Sequence, residues 1–272
     1  MQPVRKAKPT LLIQWIILGC AVFFQTFATG ADLAREQRIS EQISEAILDG
    51  EPVYLEDGGH RFLGIYTKAE QQPARGAALI LHGRGANPDW VDIVNPLRTR
   101  LPEYGWDTLA IQLPVASEGA SDAEWAAVIP ESLPRVAAAL AFLKQQGTQK
   151  VVFVSHSFGT HTAAGYLGTR HPAEVLAWVG IGMSPDQRTP DTDTVAMLSR
   201  IKLPILDLYG QRDLVNVVSS AEARREAALA AGNKAYEQRE VPGADHFFSR
   251  QNDLLVSVVR AWLAKVTGGE EH

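Results

Sequence analysis

The stretch Ser155-His156-Ser157-Phe158-Gly159 follows four apolar, strand-like residues, Val151–Val154, and leads into small, helix-tolerant ones. A serine hydroxyl is a weak nucleophile until a base takes its proton. A sharp turn from a buried strand into a helix can present the hydroxyl to such a base, provided the residues two before and two after it are small. Ser155 and Gly159 occupy those places around Ser157, with serine standing where glycine is usual. The alternative is a buried strand that ends in a polar loop, and the pentapeptide alone does not separate the two.

The partners do. LPILDLYGQRD sets Asp213 just after an apolar run, and AYEQREVPGADH sets His246 after another, each in a loop downstream of Ser157. Nucleophile, acid and histidine in that chain order resemble the α/β-hydrolase superfamily over residues of about 52 to 266. The resemblance implies Ser157 as nucleophile, His246 as general base and Asp213 as the acid that orients it. Asp186, which follows the run VLAWVGIG, is an alternative acid. The HGRG stretch, His82 to Gly85, follows AALIL. The resemblance implies an oxyanion hole built from the N–H of Phe158 and that of Gly83 or Arg84. His82 is then expected to position its loop, and His156 to pack beside the nucleophile. His161 and His171 are expected to be structural or solvated, and His60 a loop residue. Trp90 is a candidate wall for the acyl pocket.

These residues need elements to hold them. AALILH, TLAIQL, KVVFVS, VLAWVGIG, LPILDLY and AYEQREV are mostly apolar along their whole length, as strands covered on both faces of a parallel sheet must be. Helical segments lie between them. Residues 33–48 place Ile39, Ile43 and Ile47 at helical spacing. A helix over 132–147 is expected from Ser132, Pro134 and the terminal Gly147. The last helix, 253–266, would use Leu254, Leu255, Val258, Trp262 and Val266 as its inner face. PVYLE and FLGIYT flank Asp57-Gly58-Gly59 as a hairpin. The fold class is therefore α/β, with a doubly wound, mostly parallel sheet and an N-terminal antiparallel hairpin. Only about twenty residues, 183 to 202, lie where this superfamily carries a large cap, so the cap is expected to be minimal. Ligand contacts are expected from the loops near residues 84–92, 113–130 and 184–193, and the irregular stretch 114–130 is expected to border the entrance.

Ahead of the single domain expected over 31–272, Arg5, Lys6 and Lys8 precede a 14-position apolar run from Leu11 to Phe24, and small residues follow near Ala28. That reads as an export signal or, if retained, a membrane anchor through residues 11–28. The chain is also similar to exported α/β-hydrolase-like proteins of Gram-negative bacteria, which implies the periplasm. The only cysteine, Cys20, lies in this segment, so disulfide and thiol chemistry are not expected of the rest. Residues 1–30 carry three cations and no acid, which leaves 31 acids against 23 bases beyond them. An acidic body without a basic stripe argues against nucleic acid. The sequence has no zinc-type histidine pair, EF-hand spacing or dinucleotide glycine fingerprint, so neither metal nor cofactor is expected. Two readings stand: a serine hydrolase of small-molecule acyl esters, and a non-catalytic exported or anchored binding or scaffold protein on the same fold. Oligomeric state is not legible.

Overall fold

A computed structural model describes residues 30–186 and 188–268. The export or anchor reading of residues 1–30 falls almost wholly outside the described residues. Among the described residues eight strands form one sheet: β1 (Glu51–Glu56), β2 (Arg61–Thr67), β3 (Gly76–Leu81), β4 (Trp106–Ile111), β5 (Val151–His156), β6 (Val175–Ile181), β7 (Ile205–Arg212) and β8 (Tyr236–Asp245). Their order across the sheet is β1-β2-β4-β3-β5-β6-β7-β8. β2 is antiparallel to both neighbours, and every pairing from β4 to β8 is parallel.

The apolar runs are central because each strand feeds two cores. In β3, Ala77, Leu79 and Leu81 point to one side, and Ala78 and Ile80 to the other. Strict alternation across a pleated strand requires apolar residues at every position when both faces are covered. Helices α1 (Leu33–Ala46), α3 (Asp122–Gln145), α4 (Phe158–Arg170) and α5 (Thr194–Leu198) cover the first face. The second is covered by α2 (Val94–Arg100) and α8 (Asn252–Thr267). α6 (Val215–Ser219) and α7 (Ala221–Ala230) lie between β7 and β8. Between β6 and β7 the only helix among the described residues is the five-residue α5, so the cap is minimal as expected.

Three expectations change. α3 begins at Asp122, ten residues before Ser132, and runs through Pro130 and Pro134. Each internal proline removes a backbone donor. The helix persists because Trp125, Val128, Ile129, Val136, Ala139 and Leu143 are buried along it, and a capping box between Ser121 and Glu124 fixes its start. In α8, Leu255 and Trp262 are buried as expected and Val258 and Val266 pack at the edge of the core, but Leu254 is exposed and Val256, Val259 and Leu263 complete the inner face. In α1 the isoleucines are only partly buried, and the buried residues are Glu36 and Ser40. Glu36 accepts from Arg135 Nη1 at 2.8 Å and from the Val115 N–H at 3.0 Å. His60 Nε2 lies 3.3 Å from the same carboxylate, so His60 holds the hairpin turn onto α1 rather than standing free.

Candidate active site

Ser157 sits between β5 and α4 with φ 52° and ψ −117°. That region is sparsely populated for residues with a Cβ, and such strain persists only where neighbours enforce it. The neighbours are visible. The Ser157 N–H donates to the Ile181 carbonyl at 2.9 Å, tying the turn to the end of β6. Gly159 packs against the end of β3, where a Cβ would lie 2.7 Å from the His82 carbonyl oxygen. Any side chain at 159 would push the helix off the strand. Ser155, in glycine's usual place, is buried and accepts from the Trp178 indole N–H at 2.8 Å. The hydroxyl therefore has its own task. Ser155→Ala is expected to leave that indole unpaired and to lower unfolding free energy by about 1–3 kcal/mol, read by urea denaturation. An unchanged midpoint would contradict this account.

The structure brings three predicted residues together. The Ser157 hydroxyl donates to His246 Nε2 at 2.9 Å, and His246 Nδ1 donates to Asp213 Oδ1 at 2.5 Å. Asp213 directly follows β7 and His246 directly follows β8, so adjacent parallel strands deliver both to the same edge. Burial pushes the Asp213 carboxyl up, but the His246 hydrogen bond and charge, with the N–H groups of Leu214 and Gly210, hold it below the usual carboxylate range. Asp186 is not at this histidine. Its carboxylate binds Arg188 Nε at 2.8 Å, and its N–H donates to Asp193 Oδ2.

The loop after β3 lies against the serine. A Cβ on Gly83 would come within 3.3 Å of the Ser157 Cβ and 2.8 Å of His156 Nδ1, so only backbone fits there. Phe158 is the first residue of α4, and its N–H is one of those a helix start leaves without an intrahelical acceptor. The N–H groups of Gly83 and Arg84 have no backbone acceptor among the described residues.

The neighbouring histidines have other partners. His82 Nδ1 donates to the Gly83 carbonyl at 2.8 Å, and its Nε2 accepts from the Leu113 N–H at 2.9 Å. His156 Nε2 donates to the His246 carbonyl at 2.9 Å, so it pins the loop that carries His246. Burial pushes His156 down to about 3 and His82 down to about 4, and both are neutral in the folded protein near pH 7. Below their ordinary value near 6.5 the unfolded chain binds protons at these sites and the folded chain does not. Stability is therefore expected to fall as pH drops from 6.5 towards 4, by up to about 1.4 kcal/mol per pH unit for each histidine. Unfolding free energies measured across that range check it; a flat profile would count against neutral burial.

A cleft of about 200 Å³ opens beside Ser157, lined by Arg84, Asp122, Trp125, Phe158, Asp186 and Arg188 among others. Trp90 is not there. It packs with α2 and α8 on the opposite side of the sheet. Trp125, which meets Phe158 edge to face at 5.5 Å, takes the place expected of it. His161, expected to be structural or solvated, also reaches the cleft, with Nδ1 3.2 Å from the Thr192 carbonyl. Asp122, Trp125 and Arg188 were not signalled by any motif. Their common feature is position, on segments that follow β4 and β6 at the edge where Ser157 lies.

A family model described as "Protein of unknown function (DUF3530)" matches residues 25–134 and 116–265. No curated protein matches the sequence. Among solved structures, Est1E from Butyrivibrio proteoclasticus superposes with a TM-score of 0.64 at 12% identity, covering 80% of this chain and 99% of its own. The esterase Pf2001 of Pyrococcus furiosus gives 0.65 at 15% identity, covering 83% and 96%. A dienelactone hydrolase from Anabaena variabilis gives 0.64 at 23% identity, covering 79% and 96%.

Proposed function

The chain belongs to the family described as protein of unknown function (DUF3530) and has the α/β-hydrolase fold, and from that premise we propose that it is a serine hydrolase of small-molecule carboxylic esters. The observation that carries this reading is the unbroken hydrogen-bond chain from Ser157 through His246 to Asp213, beginning at a serine held at positive φ. Solved neighbours named as esterases and a dienelactone hydrolase support the same class of activity.

In this reading His246 takes the Ser157 proton as Oγ bonds to the ester carbonyl carbon. The carbonyl oxygen becomes an oxyanion, which accepts from the N–H groups of Phe158 and of Gly83 or Arg84 in this reading. As the oxyanion collapses, the alkoxide leaves with the proton from His246, and the acyl group remains on Ser157. Water, deprotonated by His246, then releases the acid and restores the hydroxyl. Asp213 keeps Nδ1 protonated and supports the imidazolium between the two transfers. No step uses a cofactor.

Turnover of p-nitrophenyl esters of graded chain length, on protein lacking residues 1–30, tests the reading. Hydrolysis strongest for short acyl chains is expected from a cleft of about 200 Å³. Absence of turnover above background across the series would overturn it. Export to the periplasm through residues 1–30 belongs to the same proposal; N-terminal sequencing of the exported protein would read it, and an intact Met1 in membranes would contradict cleavage.

A further inference from the structure

The cleft beside Ser157 has a charged mouth that ester hydrolysis alone leaves unused. Arg84, from the loop after β3, and Arg188, from the loop after β6, both converge on Asp122. Asp122 Oδ1 lies 2.5 Å from Arg84 Nη1, and its Oδ2 lies 3.8 Å from Arg188 Nη1. The first contact is a charge-assisted hydrogen bond, and the second is beyond hydrogen-bond reach. Asp122 therefore fills the space between the two cations without satisfying both.

Each guanidinium is held by other contacts. Arg188 gives Nε and Nη2 to Asp186, at 2.8 and 3.2 Å, and its Nη1 has no hydrogen-bond acceptor among the described residues. Arg84 Nη2 donates to the Ala120 carbonyl at 3.2 Å, and the guanidinium lies 5.1 Å from the Trp125 ring centroid. Asp122 is the loose member, with its side chain 63% exposed in the first turn of α3. An exposed ion pair of this kind contributes about 1 kcal/mol or less, so another carboxylate can displace it. The charged groups at the mouth, Arg84 and Arg188 against Asp122 and Asp186, balance. Burial lowers the His161 pKa and leaves that ring neutral. A ligand carboxylate can reach the Arg188 Nη1 that Asp122 leaves at 3.8 Å and compete with Asp122 for Arg84, contacts a neutral ester cannot make.

We propose that the substrate carries a second, ionised carboxylate on its acyl chain, bound between Arg84 and Arg188 in place of Asp122. The substrate class is the half-ester of a short dicarboxylic acid, because about 200 Å³ is small for longer chains. This rests on Ser157 being the nucleophile, and it makes Arg188 and Asp122 determinants of specificity.

The test compares monoethyl glutarate with ethyl valerate, which share the leaving group and differ in the terminal carboxylate. The intact enzyme is expected to prefer the glutarate by about tenfold or more in kcat/KM. Arg188→Gln should lower that preference at least about tenfold, and Asp122→Asn, which leaves the arginines with an uncompensated charge, should raise it. Both residues are more than half exposed, which favours variants that fold. Binding of N-butylglutaramate against N-butylvaleramide, measured by calorimetry, reads the arginine pair without any acyl transfer. Preference for the charged amide that Arg188→Gln removes supports the inference even if neither ester is cleaved, a result that would sink the hydrolase reading alone. Equal binding of the two amides, or turnover of both esters with no charge preference, would overturn the inference and leave the hydrolase reading standing.

Discussion

Ser157→Ala is expected to lower ester turnover by about 10⁴-fold or more while leaving the fold intact. The hydroxyl is the bond-forming atom in the proposed reaction, and no other nucleophile is hydrogen-bonded to His246 Nε2 among the described residues. Folding should survive, because the turn is held by contacts that do not involve the hydroxyl. These are the Ser157 N–H to Ile181, the close approach of Gly159 to β3, and the indole bond to Ser155. Replacement of serine by alanine keeps the Cβ and hence the strain already present at φ 52°. Parallel ester assays and urea denaturation check both halves. Residual activity within about tenfold of the intact protein would place the nucleophile elsewhere.

Asp213→Asn is expected to cost about 10⁴-fold in kcat, with smaller effect on KM. The change is isosteric, so His246 stays near its position. What changes is the proton: an amide that presents its NH₂ group to Nδ1 favours the tautomer with the proton on Nε2, where it faces Ser157 and cannot accept. The carboxylate that would support the imidazolium is lost as well. Asp186 cannot substitute, since it is engaged by Arg188 at 2.8 Å. A companion Asp186→Asn variant should therefore fall far less than Asp213→Asn. If the two fell equally, the assignment of the orienting acid would be wrong.

The legibility of the molecule in its sequence follows from how local each signal is. β3, β4 and β5 are buried at every position, so runs that are apolar over most of their length are enough to find them. The strand-turn-helix at Ser157 was also local: its small flanking residues are needed within five positions of one another. Asp213 and His246 could be proposed because each directly follows a strand that is itself recognisable. The start of α3 was hidden by Pro130, whose penalty is a local property, whereas the burial of Trp125 and Ile129 that outweighs it is tertiary. One residue expected on the α8 inner face, Leu254, is exposed for a related reason. That helix is apolar around much of its circumference, so spacing alone did not separate Leu254 from Leu255 and Val256. In α1 the periodic isoleucines drew the reading away from Glu36, which is buried only because Arg135, nearly a hundred residues on, meets it. For the cleft, the contributing segments are legible and the individual side chains are not. Arg84 and Arg188 come from loops and Asp122 from the first turn of α3, with no shared motif, and the sheet order brings them together.

The central claim is that Ser157 is an activated nucleophile in the folded protein. Reaction of the native chain with a fluorophosphonate, followed by peptide mass spectrometry, tests it most directly. One stoichiometric adduct on Ser157 is expected, absent after denaturation and absent in Ser157→Ala. A folded protein that takes no label, or takes it at a different serine, would contradict it.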